Sequence, residues 1–230
     1  MKKKKLLYEG WELKFFDKAT NFRNYQFSLF KNYLCGSLAE IGPGNGVYVE
    51  KYKQYASKIY LYEPSKNFLR NLRKKKNKKT LIINKFFSIK RNKFDTIVSL
   101  DVLEHIKDDN KQIRKYHSSL KKGGHLILIV PAFQFLYSKF DKDINHFRRY
   151  NKKGIKKLIE KFKFKIIKLD YFDTIGFFLS LGSKFLSDNY KKNLSKKVFF
   201  WDKLIPLSKL LDFFLFNAIG KSLIIVLKKI

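Results

Sequence analysis

Only one of the 230 residues is a cysteine, Cys35, so no intrachain disulfide can form, and the expected setting is a reducing one, the cytoplasm. No apolar run approaches the ~18 residues that would cross a membrane. The lysines at positions 2–5 are followed by only three apolar residues before Glu9, too few for the apolar stretch of a signal peptide. Acids number 19 against 51 bases, and the formal net charge is +32. That balance points toward nucleic acid, but arginine is scarce. Only seven of the 51 bases are Arg, the residue that forks onto phosphates and bases. Proline occurs four times, while Lys, Asn, Ile, Phe and Tyr abound, a pattern that A/T-rich codons produce without selection for a partner. A nucleic-acid partner is therefore not expected. An anionic membrane surface needs only lysine and stays compatible with peripheral association.

What is present is a globular composition, 45% hydrophobic, in one chain long enough for a full core. There is no internal repeat. Strand-like and helix-like segments alternate, which predicts a mostly parallel sheet with helices on both faces. Aromatic-rich residues 8–34 read as one or two helices ahead of the first strand. Strands are expected at 37–41, 58–62, 80–83, 94–99, 125–130, 164–169 and 222–227. Helices are expected at 47–55, from Pro64 to the basic run 73–79, at 109–120 with Gly123 and Gly124 as the stop, and at 152–162. Residues 174–219 form two apolar helical segments around a lysine-rich joint at 191–197, including Phe177, Phe185, Leu186, Phe199, Phe200 and Phe214. They are expected to make a cap before the last strand.

The most informative stretch is residues 37–46, Ser-Leu-Ala-Glu-Ile-Gly-Pro-Gly-Asn-Gly. A short strand ends in Glu40 and runs into Gly42, Gly44 and Gly46 at alternate positions. Glycine there permits a sharp turn and close approach of a ligand to the backbone. A second strand ends in Glu63, 17 residues after Gly46, where an acid can take ribose hydroxyls. The spacing G-x-G-x-G differs from the dinucleotide fingerprint.

Four segments in order, the glycine loop with Glu40, Phe94–Val98 (Phe-Asp-Thr-Ile-Val), Asp101–Ile106 (Asp-Val-Leu-Glu-His-Ile) and the strand from Gly123-Gly124 to Pro131, resemble class I S-adenosylmethionine-dependent methyltransferases. The resemblance covers about residues 37–170 and, less firmly, the last strand. It implies a Rossmann-like three-layer sandwich whose seventh strand is antiparallel to the rest. It implies S-adenosylmethionine as cofactor, with Glu40, Gly42, Gly44 and Gly46 at its methionine part, Glu63 at the ribose and Asp101 near the sulfonium and the acceptor. Where the family often carries an acid for the adenine, this chain has Asn84, whose side-chain oxygen can accept the same bond. Phe86 or Phe87 can lie against the ring.

Two further constellations bear on chemistry. Asp101, Glu104 and His105 would share one face if a helix begins there, a set able to bind a hard divalent ion or to place His105 as a base. The favoured reading is a helix start with a buried histidine and no metal. Residues 141–150, Asp-Lys-Asp-Ile-Asn-His-Phe-Arg-Arg-Tyr, hold two adjacent arginines in a lysine-rich chain. Here His146 can deprotonate a hydroxyl, and Arg149, with Tyr150 and Pro131, can contact the acceptor. The segment resembles family members of surface-glycan and lipid-linked pathways. The expectation is methyl transfer to a small or lipid- or glycan-linked acceptor, most simply on oxygen. The alternative is an RNA-directed methyltransferase or a basic nucleic-acid-binding protein.

Overall fold

The computed structural model describes residues 9–183 and 190–230. The lysines at 2–5, Phe185 and Leu186 lie outside these. Seven strands form one sheet: β1 (Gly36–Ile41), β2 (Ala56–Tyr62), β3 (Thr80–Ile83), β4 (Phe94–Leu100), β5 (Leu120–Pro131), β6 (Phe164–Phe172) and β7 (Ser222–Lys229). Their order is β3-β2-β1-β4-β5-β7-β6. β7 runs antiparallel to both neighbours, and the other pairs are parallel. The order reverses between β1 and β4, and the crevice beyond their carboxyl ends is where such sheets bind ligands.

The sheet separates two apolar layers, because alternate side chains leave a strand on opposite faces. In β5, Leu126, Leu128 and Val130 join one layer with Ile113, Tyr116 and Ile155, from α5 (Asp109–Ser119) and α7 (Lys152–Ile159). Ile127 and Ile129 join the other, with Phe22 and Phe27 of α2 (Thr20–Ser28), Tyr52 of α3 (Val49–Tyr52) and Trp201 of α9 (Leu194–Phe214). Central strands buried on both faces explain the unbroken apolar run at 126–130. The remaining helices are α1 (Leu13–Phe16), α4 (Leu69–Lys74), α6 (Lys139–Asp143) and α8 (Thr174–Ser183).

Several elements differ from expectation. The helix after β1 is one short turn of α-helix, α3, and the one after Pro64 begins as a 3-10 turn. Gly123 and Gly124 do not stop α5. That helix ends at Ser119, and β5 starts at Leu120 and passes through both glycines. A Cβ on Gly124 would lie 3.0 Å from the Asp95 carbonyl, so glycine permits close approach of neighbouring strands there.

The segment between β6 and β7 is a helical pair, α8 and α9, and it docks on the N-terminal helices. Asp202 accepts from the Phe22 amide at 2.8 Å, and Tyr25 donates to Asp212 at 2.6 Å. Pro206 sits inside α9 and cannot donate to the Asp202 carbonyl. That carbonyl accepts the Asn21 side-chain amide instead, at 3.1 Å, so the break in the helix ladder becomes part of the contact with α2.

Candidate active site

The site begins at the glycine loop. Gly42, Gly44 and Gly46 all have positive φ, 66°, 54° and 69°. A Cβ on Gly42 would come within 2.7 Å of Val102, and one on Gly44 within 3.0 Å of Leu13. The loop is thus closed to larger residues by conformation as well as by space. Glu63 is only 4% exposed and braces the loop. Its two oxygens accept from the Gly44 amide at 3.0 Å and the Ser65 amide at 2.8 Å. Asn84 donates to the Glu63 and Pro64 carbonyls at 2.8 and 3.1 Å, which leaves its side-chain oxygen as the acceptor it has to offer. Phe87 is core, its ring 5.0 Å from that of Tyr62, whereas Phe86 is exposed.

Glu40 is buried, and one oxygen accepts from Tyr52 at 2.9 Å. The other oxygen has no hydrogen-bond partner. Burial pushes the carboxyls of Glu40 and Glu63 up to about 7. Two desolvated carboxyls beside a glycine cradle, one with an orphaned oxygen, are a setting that a cationic ligand rich in donors completes. The residues present therefore fit S-adenosylmethionine. Glu40 and the glycines would hold its amino-acid portion and Glu63 its ribose.

Asp101 follows β4 with φ 53°, its amide bonded to the Ile129 carbonyl at 2.8 Å. It does not open a helix. Only a 3-10 turn, Leu103–His105, comes next, so the expected common face of Asp101, Glu104 and His105 does not form. Asp101 keeps solvent-accessible surface, and the surrounding protein raises its carboxyl pKa. Arg23, His146 and Lys221 act on it in the opposite sense.

His146, distant in sequence, takes the place of Asp101 beside Glu104. Its Nε2 lies 3.7 Å from Glu104 Oε1, and its ring meets that of His105 edge-on at 4.6 Å. Glu104, His105 and His146 bring ligand-type atoms within 4.8 Å of one another. Burial, with the charges of Asp101 and Asp141, holds the Glu104 carboxyl well above the usual range. Burial, with His146 nearby, pushes His105 down to about 3, so it is neutral at physiological pH.

Asp141 organises the segment. It closes a capping box with Ser138 at the start of α6. Its Oδ1 lies 2.9 Å from His146 Nδ1, and its two oxygens accept from Arg149 Nε and Nη2, each at 2.9 Å. Burial alone would raise this carboxyl, but His146 and Arg149 hold it well below the usual carboxylate range. An ionised Asp141 can only accept, so His146 carries its proton on Nδ1 and presents Nε2 as the basic atom. The Arg149 fork is thus occupied within the protein, and its third nitrogen donates to the Ala132 carbonyl at 3.3 Å. Arg148 pairs with Asp109 at 2.7 Å. The Tyr150 hydroxyl meets Asp109 and the Leu103 carbonyl, and its amide donates to the Pro131 carbonyl at 2.9 Å. These residues bind one another and shape the loop.

Sequence reasoning gave no role to Arg23 or Lys221, and placed Asp141 only in the alternative reading of residues 141–150, a structural loop held by Arg–Asp pairs. Asp141 stands in the singled-out motif, five residues before His146, and that spacing was its signal. Lys221 had none. It precedes β7, and its ammonium lies 4.5 Å from the Trp201 ring centroid and 5.6 Å from that of Phe16. A cleft of about 560 Å³ lies between residues 9–12 and 143–145, with Lys191 on its rim.

No curated protein matches the chain. Solved structures share its fold at low identity. An S-adenosylmethionine dependent methyltransferase from Mesorhizobium loti is 11% identical, over 93% of this chain and 100% of that one, with TM-score 0.61. The YcgJ protein of Bacillus subtilis is 12% identical, over 90% and 98%, with TM-score 0.62. Phosphoethanolamine N-methyltransferase 2 of Haemonchus contortus, solved with S-adenosyl-L-methionine, is 16% identical with TM-score 0.60. Its match spans 95% of this chain but 57% of that one. The family described as "Methyltransferase domain" matches residues 16–169. With that match, the glycine cradle and the sheet order together, the chain belongs to the methyltransferase domain family and is a class I S-adenosylmethionine-dependent methyltransferase.

Proposed function

We propose that this enzyme methylates a hydroxyl oxygen on a small or lipid- or glycan-linked acceptor, with His146 as the general base. The observation that carries the reading is the Asp141–His146 pair at 2.9 Å, set beside Asp101 at the carboxyl ends of β4 and β5. A hydroxyl needs to lose a proton during methylation, and an amine that is already neutral does not. S-adenosylmethionine, when bound, supplies a methyl group made electrophilic by its sulfonium. Glu40, Glu63 and the glycine loop orient the cofactor. His146 Nε2 takes the acceptor proton. Ionised Asp141 on Nδ1, with Asp101 nearby, then stabilises the imidazolium by charge. Arg149 acts through Asp141 as a positioning residue rather than on the acceptor.

The cluster of Glu104, His105 and His146 supports a second reading, in which a divalent ion lowers the pKa of the acceptor hydroxyl. The two are separable. An extract of a strain lacking the gene, which accumulates the unmethylated acceptor, would be incubated with the purified enzyme and methyl-labelled cofactor. Labelled product that survives EDTA and disappears with His146→Ala supports the base. Loss in EDTA with rescue by magnesium selects the metal. Label appearing on nitrogen or carbon rejects O-methylation.

A further inference from the structure

The outer face of α9 has no partner among the described residues. Leu194, Val198, Trp201, Ile205, Ser208 and Asp212 recur every three or four positions and are buried against the protein. The opposite stripe of a surface helix is ordinarily polar. Here it carries Phe199, Phe200, Leu207, Leu210 and Phe214, each 50–63% exposed. Phe213, 72% exposed, widens the patch in the last turn, and Phe216, 88% exposed, continues it past the helix end. Single exposed apolar residues are ordinary, but a contiguous apolar stripe marks an interaction surface.

Charge on α9 is sorted by side. Both of its acids face inward and are hydrogen-bonded. Asp202 accepts from the Asn21 and Phe22 amides, and Asp212 from Tyr25 and the amides of Asp173 and Thr174. The exposed charges of the helix are Lys196, Lys197, Lys203 and Lys209. The Lys203 ammonium lies 4.6 Å from the Phe199 ring centroid, so lysine and aromatic interleave. A second copy docking through this face would set lysines against lysines in a chain of formal net charge +32, which opposes self-association. An anionic lipid surface satisfies both halves of the stripe at once. No helix among the described residues is long and apolar enough to cross a membrane, so insertion would be shallow.

We infer that the outer face of α9 docks in the plane of an anionic membrane. The aromatic and leucine side chains enter the headgroup–acyl boundary, and Lys196 and Lys203 engage the headgroups. This deepens the lipid-linked reading of the acceptor and rests on it for its purpose. S-adenosylhomocysteine affinity, measured in parallel, reports on the cofactor site separately, and transfer of label to the acceptor reports on the lipid-linked reading.

The test is flotation of the full-length protein with vesicles of phosphatidylcholine alone or containing about one-third phosphatidylglycerol. Binding is expected only to the anionic vesicles, with a fraction that survives high salt because apolar burial is not screened. Lys196→Gln with Lys203→Gln should weaken partitioning about twenty- to thirty-fold, the effect of two lysines at such a surface. Leu207→Ser with Phe214→Ser should abolish the salt-resistant fraction. Both pairs alter exposed side chains, and unchanged S-adenosylhomocysteine binding would show the fold intact. Charge removal on α7, by Lys156→Gln with Lys157→Gln, is the control. The inference is overturned by absence of vesicle binding, by equal weakening from the α7 control, or by sedimentation showing a dimer dispersed by the Leu207 and Phe214 substitutions.

Discussion

Glu40→Gln should make the ligand-free enzyme more stable at pH 8 and weaken its hold on the cofactor. Glu40 is 4% exposed, and burial moves its carboxyl from 4.5 to about 7 in the folded protein. Between those two values the folded state binds more protons than the unfolded one. Stability therefore falls as pH rises through that window, and the loss is complete above it. A shift of about 2.5 units corresponds to about 3 kcal/mol at pH 8, of which about 1.4 kcal/mol is already lost at pH 5.5. Glutamine keeps the acceptor for Tyr52 and has no charge to desolvate. For a chain of this length, the gain at pH 8 converts to about 6–10 °C in melting temperature, falling to about half that at pH 5.5. The same substitution removes the negative charge that Glu40 carries at pH 8, so S-adenosylmethionine should bind at least about tenfold more weakly there. Scanning calorimetry of both proteins at the two pH values, with and without ligand, measures all of this. A variant that melts below the unmutated protein at pH 8, or with the same offset at both pH values, would refute the reasoning that Glu40 is a desolvated acid awaiting a cation.

Other substitutions test the rest of the site. Gly44→Val, which forces a β-branched residue to φ 54° against Leu13, should abolish S-adenosylhomocysteine binding by calorimetry. Detectable binding would remove the loop from the cofactor site. Asp141→Asn should cost about 3–5 kcal/mol in denaturant unfolding, because the Arg149 guanidinium is left buried without its counter-charge; a loss below 1 kcal/mol would show the pair to be screened. Asp141 has a depressed folded pKa, so its stabilisation is full above the unfolded carboxyl range and is lost progressively as pH falls from there through the lower folded value. His146→Ala should cut turnover by about 10²–10⁴ with cofactor affinity retained, and equal losses in both would make the histidine structural. Turnover should persist in EDTA, since the proposed base needs no ion. Complete and magnesium-reversible inhibition would transfer the role to the Glu104, His105 and His146 cluster.

The sequence alone was enough for the sheet and for the glycine loop with its two acids, because both are written in local pattern. Alternating runs set the strands and their two buried faces. Three glycines at alternate positions cannot be replaced where φ is positive, and an acid ending β1 or β2 must come to the carboxyl edge of a parallel sheet. Boundaries went astray where local signals compete with packing, as at Gly123 and Gly124, which read as a helix stop but serve a strand. The cluster that follows β4 and β5 was decided by tertiary structure. Asp101, Glu104 and His105 are neighbours in sequence, yet the positive φ of Asp101 parts them, and His146 arrives from beyond β5 to join the last two. The two adjacent arginines were visible, and so was the choice between an acceptor contact and Arg–Asp pairs within the loop, but only the fold put Arg149 on Asp141, since a guanidinium's partner is fixed by which buried carboxylate lies within reach. Lys221, Arg23 and the inward turn of both α9 acids depend on contacts between residues far apart in the chain, and no periodicity records such contacts. They arise only when α2, α9 and the loop after β5 are packed over one edge of the sheet.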